Sequence, residues 1–168
     1  VAVCEVDKSR REHAKGVVDG HNKNTDCRAV VDFKEVTEAD GIDAVCIATP
    51  DHWHSVITIS ALDNGKDVYC EKPLTHNIHE SVEVMKAVER NKRVLQTGSM
   101  QRSSSEFRVA CELVRNGVIG EIRNVNTSFG DPGRPCDLKE EKMEPGLDWD
   151  RWCGPGPMRP YSSVLSPR

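Results

Sequence analysis

The sequence predicts an α/β protein built on a doubly wound parallel sheet, and three observations carry that prediction. Short β-branched, apolar runs alternate with stretches whose apolar residues recur at helical spacing. The connections between them are short, as βαβ units require. The central runs are apolar throughout, which predicts strands covered on both faces. Right-handed crossovers put the carboxyl ends of such strands on one edge, and in open α/β sheets that edge takes the ligand.

Val1 to Val6 reads as a strand, and Ser9 to Val18 as a helix capped by Ser9. Ala29 to Val31 is a weak strand and Ala44 to Ala48 a strong one, stopped by Thr49-Pro50. The helix His52 to Asp63 places Trp53, Val56, Ile57 and Ala61 on one face, and Asn64-Gly65 ends it. Asp67 to Glu71 is a strand. Helix Ile78 to Arg90 is expected to bury Ile78, Val82, Met85 and Val88. Val94 to Thr97 is a further strand, closed by Gly98. Helix Ser105 to Arg115 carries Phe107, Ala110, Cys111 and Val114 on one stripe, and Ile122 to Phe129 alternates like a half-exposed antiparallel strand. After Gly130 seven of the nine prolines follow. Trp149 and Trp152 lie among them, which favours an ordered loop that packs on something. The domains read as residues 1–100 and 101–168.

The 168 residues suit one domain and a piece of another. A net charge of -4 lacks the basic footprint of a nucleic-acid binder. No apolar run approaches the roughly 20 residues of a membrane span, and no signal peptide is visible. The chain opens on Val1 within an apolar run, so it reads as an internal fragment of a longer protein, without turnover by itself. Of the seven cysteines none has C-x-x-C spacing, which predicts reduced, buried thiols rather than a disulfide frame or a metal site. That pattern favours a cytoplasmic setting; a periplasmic one stays open because a leader could precede Val1.

Three strand ends concentrate the chemistry. Glu5 closes the opening strand. In a dinucleotide-binding fold an acid at the second strand's carboxyl end accepts hydrogen bonds from the adenosine ribose and opposes a 2′-phosphate. Thr49-Pro50-Asp51-His52-Trp53-His54 follows the strong strand; Pro50 forces a sharp exit, and the next helix starts at the ligand edge with free N–H groups. An H-x-H pair with no third ligand nearby is a weak zinc signal. Glu71-Lys72-Pro73 follows the next strand, where the pre-proline position holds Lys72 extended. A cationic ring nearby would disfavour the ammonium, leaving an amine able to take an alcohol's proton.

Together Thr49, Pro50 and His54, then the run Asn64 to Leu74 with its Glu71-Lys72-Pro73, resemble the Gfo/Idh/MocA oxidoreductases. The resemblance continues through Gln96 to Arg102, Glu112 to Ile122, Gly146 to Trp152 and Gly154 to Pro157. It implies a Rossmann domain that binds NAD, or NADP, followed by a second α/β domain that supports the substrate and often a homo-oligomer. It implies that Lys72 is the catalytic or substrate-binding lysine and also borders the cofactor, and that Glu71 lies near the nicotinamide ribose. Thr49, Pro50 and His54 take cofactor-pocket positions, and Glu5 takes the ribose-binding place, where Asp is commoner. Gln101 and Arg102 fall near the substrate. The family's glycine loop is expected upstream of Val1 and its Asp/His segment downstream of Arg168.

The leading functional expectation is hydride transfer between NAD(P) and a hydroxyl carbon of a sugar, cyclitol or related polyol. Two alternatives stay open. One is an NAD-dependent glycosidase that oxidises its sugar transiently; the other is a non-catalytic dinucleotide-binding protein. No nucleic-acid or membrane partner is expected.

Overall fold

The computed structural model describes residues 1–130 and 137–166. Contacts divide the chain into two compact units, Val1–Gly98 with Lys139–Arg168, and Ser99–Leu138. Among the described residues, the first unit contains every strand. β1 (Ala2–Cys4) pairs in parallel with β2 (Arg28–Val30), Val3 lying beside Ala29. β3 (Ala44–Ile47), β4 (Asp67–Cys70) and β5 (Leu95–Thr97) form a second parallel sheet in that order. The helices are α1 (Lys8–Asn22), α2 (Lys34–Thr37), α3 (Asp51–Asp63) and α4 (Ile78–Asn91). This is the expected Rossmann-like α/β order, with the short α2 added.

The register decides where the core lies. Val45 sits beside Val68, and Ile47 beside Cys70, so these four share one face. Ile57, Ala61 and Leu62 of α3 and Ala87 of α4 pack onto that face. Fully burying a side chain such as Leu62 is worth about 1.5–3 kcal/mol. The other face, with Ala44, Cys46, Tyr69 and Gln96, is exposed. The expectation of two covered faces therefore fails: β-branched strands read as buried on both sides, but among the described residues α3 and α4 cover one.

The helices depart from expectation in instructive ways. Asp7, not Ser9, caps α1: its carboxylate accepts from the N–H groups of Ser9 and Arg10 at 2.8 and 3.1 Å. In α4, Val84 and Ala87 are buried, whereas Ile78 (83% exposed), Val82 and Met85 face solvent. The inward stripe is set by its polar ends: Ser55 donates to Glu80, and Asn91 donates to Asp63 of α3. Val56, expected inside, is exposed, while Trp53, Ile57 and Ala61 pack inward as expected.

The second unit holds a 3₁₀ turn, Met100–Ser103, and α5 (Ser105–Arg115). The apolar stripe of α5 is exposed, Phe107 and Cys111 included. Ile122 to Phe129 forms no strand; Val125 and Phe129 face solvent. An alternating segment needs a neighbour for its N–H and C=O groups, and none of the described residues supplies one.

The late segment packs, as expected of its tryptophans. Leu147 bridges Asp7, Lys8 N–H donates to Gly146 O (2.9 Å), and Asp148 N–H donates to Val6 O (3.3 Å). The helix α6 (Trp149–Cys153) follows, with Trp149, Cys153 and Tyr161 buried together. Six described cysteines are free; Cys46 and Cys111 are exposed, against the expectation of burial, and Cys136 lies outside the described residues. Burial pushes the half-buried Cys4 thiol up to about 11, which makes it a poor nucleophile.

Candidate functional site

The site is built on the carboxyl ends of parallel strands. Glu5 follows β1, and its N–H donates to Val30 O of β2 at 3.1 Å. Its carboxylate accepts from the Asp7 N–H at 2.9 Å, and Arg11 donates to its carbonyl at 2.6 Å. A half-buried acid is thus held at the mouth of the sheet.

At the end of β3, Thr49 and Pro50 lead into α3. Pro50 is the N-cap and offers no side-chain acceptor, so the first N–H groups of α3 have no side-chain cap. The Thr49 hydroxyl oxygen is buried without a hydrogen-bond partner. His54, one turn in, is fully buried; Nδ1 is 2.6 Å from Pro73 O and Nε2 2.8 Å from Thr49 O. The ring therefore fastens the turn after β4 to the end of β3. Its place in the cofactor pocket, expected from the resemblance, is indirect, because both nitrogens face backbone carbonyls. Replacing His54 with Ala removes the ring that bridges these two carbonyls and opens a cavity. It should lower unfolding stability by about 2–4 kcal/mol, read as a drop in the urea midpoint; an unchanged midpoint would refute this role.

Glu71 and Lys72 follow β4. Glu71 N–H donates to Ile47 O (2.9 Å), and its carboxylate accepts from the Tyr69 hydroxyl (3.2 Å) and the Lys72 N–H (3.3 Å). A methyl group at Gly98 would meet that carboxylate at 2.7 Å, so a larger residue there would displace the Glu71 side chain. The Lys72–Pro73 peptide is cis. Lys72 itself is exposed, and its ammonium meets no carboxylate among the described residues. Gln101 and Arg102, in the other unit, are exposed on the 3₁₀ turn.

A cavity of about 170 Å³ joins the ends of β1, β2 and β3. Glu5, Thr49 and Pro50 line it, as do Asp32, Phe33, Trp53, Arg151 and Trp152. Glu71, Lys72 and His54 do not. Sequence reasoning missed Asp32 and Phe33, although they follow β2 and the strand-end rule could have found them. It also missed Arg151 and Trp152, which no local signal connects to a strand 100 residues earlier. Arg151 donates to Asp32 at 2.8 Å and holds that carboxyl below its usual range. The residues fit one end of a dinucleotide: a fixed acid for ribose hydroxyls, an unpartnered buried hydroxyl, and apolar walls. The volume is below the roughly 300–1,000 Å³ of drug-sized pockets, so it takes part of such a ligand. No helix among the described residues is long and apolar enough to cross a membrane.

Comparison with known proteins agrees with this geometry. Residues 1–99 match the family described as "Oxidoreductase family, NAD-binding Rossmann fold". The chain is 34% identical over 144 residues to inositol 2-dehydrogenase 4 of Saccharopolyspora erythraea, covering 85% of this chain and 41% of that protein. It spans about two fifths of that relative's length. Among solved structures, myo-inositol 2-dehydrogenase from Lactobacillus plantarum superposes with a TM-score of 0.63 at 31% identity, over 73% of this chain and 34% of that one. The apo scyllo-inositol dehydrogenase from Lactobacillus casei gives 0.62 at 28%, over 71% and 34%. With its parallel strand ends, its Glu71-Lys72-Pro73 turn and a family match over more than half its length, the chain belongs to the Gfo/Idh/MocA oxidoreductases of NAD-binding Rossmann fold.

Proposed function

We propose that this chain is the cofactor-binding part of an NAD-dependent dehydrogenase acting on a cyclitol or related polyol. The observation that carries the reading is the shared strand edge. Glu5 and Thr49 open onto one cavity at the ends of β1 and β3, and Lys72 follows β4, the parallel neighbour of β3. His54 ties the two turns together. The kinship with inositol dehydrogenases supports the substrate class.

Glu5 would hold the adenosine ribose and, as a carboxylate, oppose a 2′-phosphate, which favours NAD over NADP. The Thr49 hydroxyl and the N–H groups opening α3 would meet the cofactor's polar middle. The nicotinamide, when bound, supplies the acceptor for a hydride from the alcohol carbon. Lys72 takes the hydroxyl proton as that C–H bond breaks and the C=O bond forms, then returns it to solvent. Glu71, fixed by Tyr69 and Gly98, holds the turn that carries Lys72. Gln101 and Arg102 are proposed to contact the polyol, and the unit Ser99–Leu138 to begin the substrate domain of a homo-oligomeric protein, whereas Lys139–Arg168, expected in that domain, groups with the first unit.

The test is NADH formation at 340 nm, or by fluorescence, when the complete protein carrying this chain meets NAD and a panel of inositols and sugars. NADH should accumulate with at least one cyclitol, and faster with NAD than with NADP. No reduction with any polyol would overturn the reading.

A further inference from the structure

The strap formed by residues 146–154 is bound to the strand edge along its whole length. It bridges Asp7 through Leu147. Trp53 Nε1 donates to Arg151 O (3.0 Å) and Trp152 O (3.2 Å), and His52 Nε2 lies 2.7 Å from Trp152 O. Gly154 packs against the Trp53 indole, which leaves no room for a Cβ. The side-chain tie is Arg151 to Asp32, 119 residues apart in sequence, at 2.8 Å; Arg151 is also held by Asp148 at 3.3 Å. The strap thereby supplies Leu147, Arg151 and Trp152 to the cavity that Glu5 lines.

We propose that the Arg151–Asp32 pair is a latch that holds this strap as the outer wall of the cavity and so sets affinity for the purine end of the cofactor. This rests on the dehydrogenase reading above. Three features select the ligand end. Glu5 lines this cavity and Lys72 does not, so it is the end remote from the chemistry. Phe33, Trp53, Ile57 and Trp152 make apolar, aromatic walls suited to a flat base. Asp32 and Arg151 neutralise each other, so the wall between them attracts neither phosphate nor cation. Both side chains are partly exposed, at 33% and 44%, so solvent and salt screen the pair and the latch is a weak one. Arg151 is a positioning residue here: it acts through the wall it holds.

All three tryptophans report on the strap. Trp53 and Trp152 line the cavity, and Trp149 stacks on Trp152 with ring centroids 4.5 Å apart. Calorimetric titration of the complete protein carrying this chain with AMP and separately with nicotinamide mononucleotide, with tryptophan emission as the report on the strap, tests the proposal. Arg151→Ala and Asp32→Asn should each weaken AMP binding by about fivefold or more. The double variant should be no worse than either single one, because the two act as one unit. The swapped pair, Asp32→Arg with Arg151→Asp, should recover affinity. Added salt should weaken AMP binding to the wild type and leave the single variants unmoved. Nicotinamide mononucleotide should bind all of them alike. Unchanged AMP affinity in both single variants, or equal loss for both mononucleotides, would overturn the latch while leaving the cofactor reading in place. A complete wild-type protein that binds neither AMP nor NAD would overturn that reading and the latch with it.

Discussion

Replacing Lys72 with alanine in the complete protein should lower kcat for polyol oxidation by about 10²- to 10⁴-fold, the usual contribution of a positioned acid–base group. The affinity for NAD should not change, because Lys72 does not line the cavity that holds the proposed cofactor end. Stability should stay within about 0.5 kcal/mol of wild type, since the side chain is exposed. Lys72→Arg should rescue little: a guanidinium keeps its proton throughout the working pH range and cannot act as the base. Steady-state kinetics with a parallel NAD titration separates the outcomes. Unchanged kcat would remove Lys72 from the chemistry. A collapse of NAD affinity at constant kcat would make it a cofactor ligand instead.

The parts of the fold that were legible are those where a local rule acts alone. The strand at Ala44 is β-branched, apolar and stopped by proline, and the helix after it ends at Asn64-Gly65; both were readable to within a residue or two. The strand-end rule located Glu5, Thr49 and Lys72 because it needs only the order of elements. The errors arise where a partner decides. The inward face of α4 carries Glu80 and Asn91 at its ends, so hydrophobicity counted along the helix chose the stripe Ile78-Val82-Met85-Val88, of which Val88 alone packs on the core. Asp7 outcompeted Ser9 as a cap because its carboxylate reaches two N–H groups and the serine hydroxyl besides. The segment Ile122 to Phe129 had the right alternation and nothing to pair with. Arg151 and Trp152 joined the cavity wall through contacts to residues 32, 52 and 53, and no periodicity encodes a return across a hundred residues.

That return is most exposed to test at Gly154. It ends α6 with φ 50° and ψ -122°, a conformation open essentially to glycine. Any Cβ there would overlap the six-membered ring of Trp53, with the indole Nε1 2.8 Å away. The indole cannot yield cheaply. Phe33 packs against it with centroids 5.4 Å apart, and its N–H is committed to strap carbonyls. Gly154→Ala must therefore strain the backbone and displace the ring or the strap, at a cost on the order of 3 kcal/mol. Since Trp149 and Trp152 ride on the strap, their fluorescence should shift to the red as water reaches them. Gly146→Ala is the control. Its φ of 89° is also left-handed, but the nearest atom to a new Cβ is the Lys8 Cβ at 3.3 Å, a contact tight by a few tenths of an ångström rather than an overlap, so a smaller cost of about 1 kcal/mol is expected. Urea unfolding of the two variants should rank Gly154→Ala well below Gly146→Ala. Equal midpoints would mean that the strap does not seat on Trp53, and the cavity would then lose its outer wall.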